Sequence, residues 1–176
     1  MGPRASQTGE LIFENVEVPA ENLLGVENTE FLIAMQTLDI ARPCMGANAV
    51  GVARSAFEVA LSYARERKQY GWPIIENQAI SFMLADMATQ IESARLLTWK
   101  ASWLIDQGMD STMASSMCKI FATETAERVC SRAIEILGGR AYTRKWPLEK
   151  YLRDVKALQI YEGTNQIQRI IISSML

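Results

Sequence analysis

The chain has 176 residues, enough for one cored unit and too few for two full domains. Its 49% hydrophobic and 22% charged residues are the balance of a folded protein, and 18 basic against 20 acidic residues leave a net charge of −2, which excludes the cationic footprint of a nucleic-acid binder. Asp86, Glu92, Arg95 and Lys100 interrupt the longest apolar stretches, so no membrane span is expected.

In chain order, the opening MGPRASQTGE has neither the apolar core of a signal peptide nor an arginine-rich amphipathic transit pattern. Glu10 to Val18 alternates in part and ends at Pro19, the pattern of a strand at a sheet edge. One short strand cannot bury its own face, so this segment reads as the tail of a sheet whose other strands are missing from this chain or supplied by another.

After Gly25 the period becomes helical. Phe31, Met35, Leu38, Ala49, Ala53, Phe57 and Ala60 fall near one stripe as far as Arg67, with a kink expected at Pro43 and a stop at Gly71 and Pro73. Asn77 is placed to cap a second helix carrying Ile80, Met83, Leu84, Met87, Ile91, Ala94, Ala101 and Leu104 before Gly108. A third begins near Ser111 and runs through Met113, Met117, Ile120, Phe121, Val129, Ala133, Ile136 and Leu137 into Gly138-Gly139. Pro147 opens a shorter helix to about Leu158, and a break at Glu162-Gly163-Thr164 precedes a last helix from Gln166 to about Ser174. Three long and two short helices with short connections predict an all-α chain, an antiparallel four-helix-type bundle over residues 27–176 with a short N-terminal β segment. The nine methionines read as bundle core rather than a cofactor box.

The chain has no histidine, which removes Ser-His and Cys-His pairs, zincin motifs and most catalytic metal sites, so no metal is expected. Acid-base work falls to carboxylates, lysine or tyrosine. Cys44, Cys118 and Cys130 lack C-x-x-C spacing and sit in apolar segments, as buried reduced thiols do. The informative segment is Tyr161-Glu162-Gly163-Thr164-Asn165-Gln166, a carboxylate on a Gly-containing loop before a helix. Helix capping by Thr164 or Asn165, with Glu162 at the positive end of the helix dipole, is one reading. The other is a general base beside the Tyr161 wall, with Gly163 allowing close backbone approach to a ligand. Arg65 to Gly71 concentrates positive charge where a helix end favours it, and equally suits an anion site with Arg67 as donor fork and Tyr70 as stacking plate. Leu137-Gly138-Gly139-Arg140 is a helix stop, or a place where a ligand meets bare backbone.

Four segments in order carry a resemblance: FENVEVPAENLLG, ARERKQYGWPIIENQAISFMLADMA, EILGGRAYTRKWPLEKYLRD and YEGTNQIQR. Together they resemble the acyl-CoA dehydrogenase family over essentially the whole chain, with a YEGT loop of the short- and medium-chain type. The resemblance implies that residues 1–26 end the family's middle β-domain and that residues 27–176 form its C-terminal helical bundle. It implies α,β-dehydrogenation of an acyl-CoA to a trans-2-enoyl-CoA, with FAD as hydride acceptor and electron-transfer flavoprotein as oxidant, in a homo-dimer or homo-tetramer. The base is then Glu162, whose backbone N–H joins a flavin hydroxyl on the thioester oxygen. Some branches place the base just before the arginine that here is Arg42, where this chain has Ala41.

By the same carry-over Arg67, Lys68, Gln69 and Tyr70 contact the FAD of a neighbouring subunit, and Asn77 and Gln78 match further flavin-side positions. Glu135, Ile136, Leu137, Gly138 and Gly139 border its adenosine end, and Gly163, Thr164, Asn165 and Gln166 reach FAD from the loop. Asp39, Ile40, Ala41, Arg42 and Tyr161 border the acyl-CoA. The family's setting implies cytoplasm in a bacterium and mitochondrial matrix in a eukaryote. The chain departs from the pattern at Glu135, where glutamine is frequent, at Ala141, where glycine is usual, and in its final IISSML. Because members are more than twice this length, a non-catalytic oligomerisation or binding scaffold built on the same bundle stands as the alternative.

Overall fold

A computed structural model describes all residues 1–176. Five helices dominate: α1 (Glu30–Glu66), α2 (Gln78–Asp106), α3 (Thr112–Leu137), α4 (Leu148–Leu158) and α5 (Asn165–Ser174). Side-chain pairs fix their directions. Thr112 at the start of α3 meets Asp39 early in α1, and Arg140 just past α3 lies over the ring of Tyr63 near the end of α1. Helices α1 and α3 therefore run the same way, with α2 returning between them. Lys156 and Gln159, at the end of α4, reach back to Glu127 in mid-α3, so α4 runs antiparallel to α3 and completes the up-down-up-down bundle.

Small residues set how closely these helices approach. Ala49, Ala53, Ala56, Ala60 and Ala64 recur along one face of α1 and are wholly buried, as are Ala126, Val129, Cys130 and Ala133 of α3. Both stripes belong to a single core cluster that also takes Leu84, Met87, Ile91 and Ala94 from α2 and Leu148, Val155 and Leu158 from α4. The expected periodicity thus holds in the middle of the bundle and fails at its start, where Phe31 is 77% exposed. Helix α1 runs through Pro43 without interruption.

The N-terminal strand does not form. Residues 10–18 carry no strand, and Leu11, Ile12, Phe13, Val16 and Val18 are all exposed. An unpaired strand has neither ladder bonds nor a covered face, so alternation alone cannot hold it. The only strands are β1 (Lys68–Gln69) and β2 (Trp72–Pro73), an antiparallel pair after α1. Tyr70 and Gly71 between them both have positive φ, 51° and 92°, as a type I′ turn requires. Asn77 occupies the N-cap position of α2 without capping it: its side chain donates instead to the Ile74 carbonyl at 3.2 Å. Cys44 is exposed, against expectation, while Cys118 and Cys130 are buried and burial pushes both thiols up to about 12. No helix is long and apolar enough to cross a membrane.

Candidate active site at the Glu162 turn

Between α4 and α5 the chain makes a tight loop closed by Asn165 N–H donating to the Gln159 carbonyl at 3.1 Å. Inside it Glu162 and Gly163 take successive left-handed conformations, φ 56° and 82°. For a glutamate that costs about 1–2 kcal/mol, so surrounding contacts must hold it. Thr164 caps α5 by accepting from Ile167 N–H at 3.3 Å, which bears out one of the two caps expected. The backbone N–H groups of Glu162, Gly163 and Thr164 find no acceptor in the protein. The loop therefore presents a carboxylate and free donors together, the pairing that proton abstraction next to a carbonyl needs.

Three buried side chains grip this turn from beneath. Lys119 of α3 is fully buried, and its Nζ donates to the Gly163 carbonyl at 2.8 Å and to Asn165 Oδ1 at 2.9 Å. Asn165 is 4% exposed and also donates to Thr123 Oγ1 at 3.1 Å, so its carboxamide is committed to α3. Gln168 of α5 is fully buried and donates to the same Gly163 carbonyl at 3.1 Å. Burial drives the Lys119 ammonium down to about 8, the positive charge of Arg42 adds to that, and Glu162 opposes it. Sequence reading missed Lys119. Its signal was a charged residue four positions after Ser115 and three before Ala122, on the buried stripe of α3.

The electrostatic influence of both Arg42 and Glu162 on Lys119 places the three groups in one neighbourhood. Arg42 is 2% exposed and pairs with Asp39, whose other oxygen accepts from Thr112 Oγ1 at 3.1 Å. The Arg42 Nε has no partner. Ala41 is partly covered and Ile40 exposed on the same turn of α1. Tyr161 is 42% exposed; burial raises its hydroxyl pKa first and the Glu162 charge second. Asp39–Arg42 and Tyr161–Gln166 thus belong to one end of the bundle. No group of three or more carboxylate or thiol side chains comes together as a metal site.

The other expected residues lie at the opposite end. Arg67 follows α1, and Lys68, Gln69 and Tyr70 form the exposed side of the hairpin, Tyr70 being almost wholly in solvent. Asn77 and Gln78 open α2 beside it. Glu135 is exposed and pairs with Arg132 at 3.0 Å, whereas Ile136 and Leu137 are core. Gly138 (φ 61°) and Gly139 are exposed, with no atom near the place a Cβ would occupy. Tyr63 ties this turn to the end of α1, edge-on to Trp146 at 5.9 Å and under Arg140. Arg42 on α1 and Arg67 just past its end are 25 residues apart, roughly 37 Å at 1.5 Å per residue. One copy of the chain does not bring the two groups together.

The model of the acyl-CoA dehydrogenase C-terminal domain matches residues 31–176. The chain belongs to the acyl-CoA dehydrogenase family. It is 46% identical over 173 residues to cyclohexane-1-carbonyl-CoA dehydrogenase of Geobacter metallireducens, covering 98% of this chain and 46% of that protein. It is 43% identical to the CarC subunit of the caffeyl-CoA reductase–Etf complex of Acetobacterium woodii, covering all of this chain and 46% of the relative. Butyryl-CoA dehydrogenase of Megasphaera elsdenii superimposes with a TM-score of 0.92 at 42% identity, over 93% of this chain and 43% of that one. The FAD complex of PigA superimposes with a TM-score of 0.88 at 30% identity, over the same shares. The chain therefore spans just under half the length of the family members it matches.

Proposed function

We propose that this chain is the catalytic helical bundle of an FAD-dependent acyl-CoA dehydrogenase, in which Glu162 removes the α-proton of an acyl thioester. The observation that carries the proposal is the Glu162 turn, a carboxylate held left-handed beside its own unpartnered backbone N–H. Relatives and structural neighbours named for CoA-thioester redox enzymes support the substrate class. The chemistry of the far end fits FAD. Arg67 and Lys68 make no ion pair within the chain, Tyr70 offers an open ring, and Gly138-Gly139 offer bare backbone to an adenosine diphosphate moiety.

When bound, FAD would take the hydride leaving the β-carbon. The α-proton goes to the Glu162 carboxylate, and the Glu162 N–H donates to the thioester oxygen as negative charge builds there, a contribution worth about 3 kcal/mol for one well-placed donor. Proton and hydride together account for the trans-2-enoyl-CoA product. Asp39–Arg42 and Tyr161 would wall the acyl chain. Because the hairpin lies some 37 Å from Arg42 along α1, its flavin contacts would serve a second copy, as a homo-dimer or homo-tetramer provides. Electron-transfer flavoprotein is the proposed oxidant, a reading supported by the name of the CarC complex.

The test is anaerobic mixing of butyryl-CoA with the FAD-loaded protein that contains this chain. The visible flavin band should bleach, and Glu162→Gln should abolish bleaching while flavin stays bound. Bleaching that survives in Glu162→Gln refutes the assignment of the base. A protein that binds neither FAD nor acyl-CoA would instead support the scaffold.

A further inference from the structure

Lys119 is fully buried, makes no salt bridge, and satisfies its ammonium with two neutral oxygens alone. A buried cation without an anionic partner is costly, and a hydrophobic side chain of similar volume would commonly serve stability as well or better. Its placement therefore calls for another explanation, which its partners supply. Lys119 does not bridge the long helices of the bundle to one another; its two acceptors lie at the loop and the first residue of α5. It joins α3 to both flanks of Thr164, at the Gly163 carbonyl and the Asn165 side chain. Immediately upstream lies the least comfortable backbone of the loop, Glu162 at φ 56°. The second donor to the Gly163 carbonyl is Gln168, and the third anchor, Thr123, meets the loop at its two ends, through Asn165 and the Gln159 side chain, and does not touch Gly163. Lys119 is thus the one group that contacts the turn directly and also fixes its other anchor.

We propose that Lys119 is a positioning residue, whose buried ammonium holds the Glu162–Gly163 turn left-handed so that the Glu162 carboxylate and N–H stay presented to the substrate. This rests on the reading of Glu162 as the base. Lys119 touches neither the thioester nor the flavin, and acts through the Gly163 carbonyl. Removing it should loosen the turn and spare the helices, since the alanine stripes that pack α1 on α3 do not include it.

The experiment compares Lys119→Met, which keeps volume and loses the donors, with Lys119→Gln, which keeps an amide donor and loses the charge. Both are made in the FAD-loaded protein and followed by amide hydrogen exchange and steady-state kinetics. Losing a charge-assisted hydrogen bond of this kind should speed exchange at Asn165, whose N–H closes the loop, by about 10- to 100-fold in Lys119→Met. Exchange in α1 and mid-α2 should stay at the wild-type rate. The kcat for butyryl-CoA should fall by a similar factor with KM within about twofold, because binding surfaces persist while the base is misplaced. Lys119→Gln should recover part of both effects. Wild-type loop exchange and kcat in Lys119→Met would overturn the proposal. So would a loss of kcat that merely follows the folded fraction, with exchange rising equally in the helices. If Lys119→Met does not fold, Lys119→Gln decides alone, by whether the loop loosens more than the helices. Failure of the base assignment is read separately, since Glu162→Gln would then keep its activity while the exchange comparison stands unchanged.

Discussion

Gly163→Ala tests whether the turn is as constrained as its dihedrals indicate. An alanine at φ 82° costs about 1–2 kcal/mol relative to glycine in the left-handed region. Its Cβ would also stand 2.6 Å from Gln168 Nε2, too close to keep. That amide is the far end of a flexible side chain, yet Gln168 is fully buried and its Oε1 already lacks a partner. Moving it breaks the 3.1 Å bond to the Gly163 carbonyl and leaves a buried donor short, another 1–3 kcal/mol or so. Against this, alanine narrows the unfolded ensemble and returns about 0.4–1 kcal/mol. The sum is a destabilisation of roughly 1–5 kcal/mol, read as a drop in urea midpoint at constant m-value. Gln168→Ala removes the clash, so the double variant should lose about 1 kcal/mol less than the two single losses added. A Gly163→Ala loss below about 0.5 kcal/mol, within the range of ordinary surface substitutions, would refute the claim that a left-handed turn is held there.

Two glycines of α1 make opposite predictions from one helix. Gly51 is exposed with open space where a Cβ would sit, so Gly51→Ala should gain about 1 kcal/mol from helix propensity. Gly46 is buried, and a Cβ there would meet Thr98 Oγ1 at 2.8 Å and Cys118 Sγ at 3.4 Å. Overpacking of about 1–3 kcal/mol should outweigh the same gain, so differential scanning should place Gly46→Ala below wild type and Gly51→Ala above it.

Stability should also depend on alkaline pH with two signs. Lys119 titrates near 8 when folded and near 10.5 as a free side chain, so between those values the unfolded chain holds the extra proton and stability rises with pH, by at most about 1.4 kcal/mol per unit. Cys118 and Cys130 do the reverse: their thiols ionise near 9 when unfolded and about 12 when folded, so above pH 9 the folded state holds more protons and stability falls. Thermal midpoints should therefore peak near pH 9, and Lys119→Met should erase the rise below the peak while keeping the decline above it. A midpoint that falls steadily from pH 8 in the wild type would contradict the burial of Lys119.

What the sequence made legible was whatever repeats locally. The alanine spacing of α1 and the apolar spacing of α2 locate helices, and Gly138 does end α3, its φ of 61° being the kind of conformation glycine supplies. The hairpin of Lys68–Gln69 with Trp72–Pro73 escaped notice because two-residue strands are too short to show a period. The strand expected over residues 10–18 failed for the complementary reason, since alternation was present and a pairing partner was not. Glu162 stood out through its motif, and nothing in the motif showed that it occupies a left-handed conformation or what restrains it.

That restraint comes from residues far away in the chain. Lys119 is 44 positions from Gly163, and Thr123 is 42 from Asn165. A local reading of α3 finds a lysine interrupting an apolar stripe and has no means of assigning its acceptors. The antiparallel return of α4 supplies them, by bringing the loop after it down beside the first half of α3. Bundle topology thus converts what looks in sequence like a flaw in the core into the support beneath the one carboxylate the proposed chemistry requires. The same topology sets the hairpin and Gly138-Gly139 at the far end, which is why the residues expected to meet a single flavin divide into two groups within one copy of the chain.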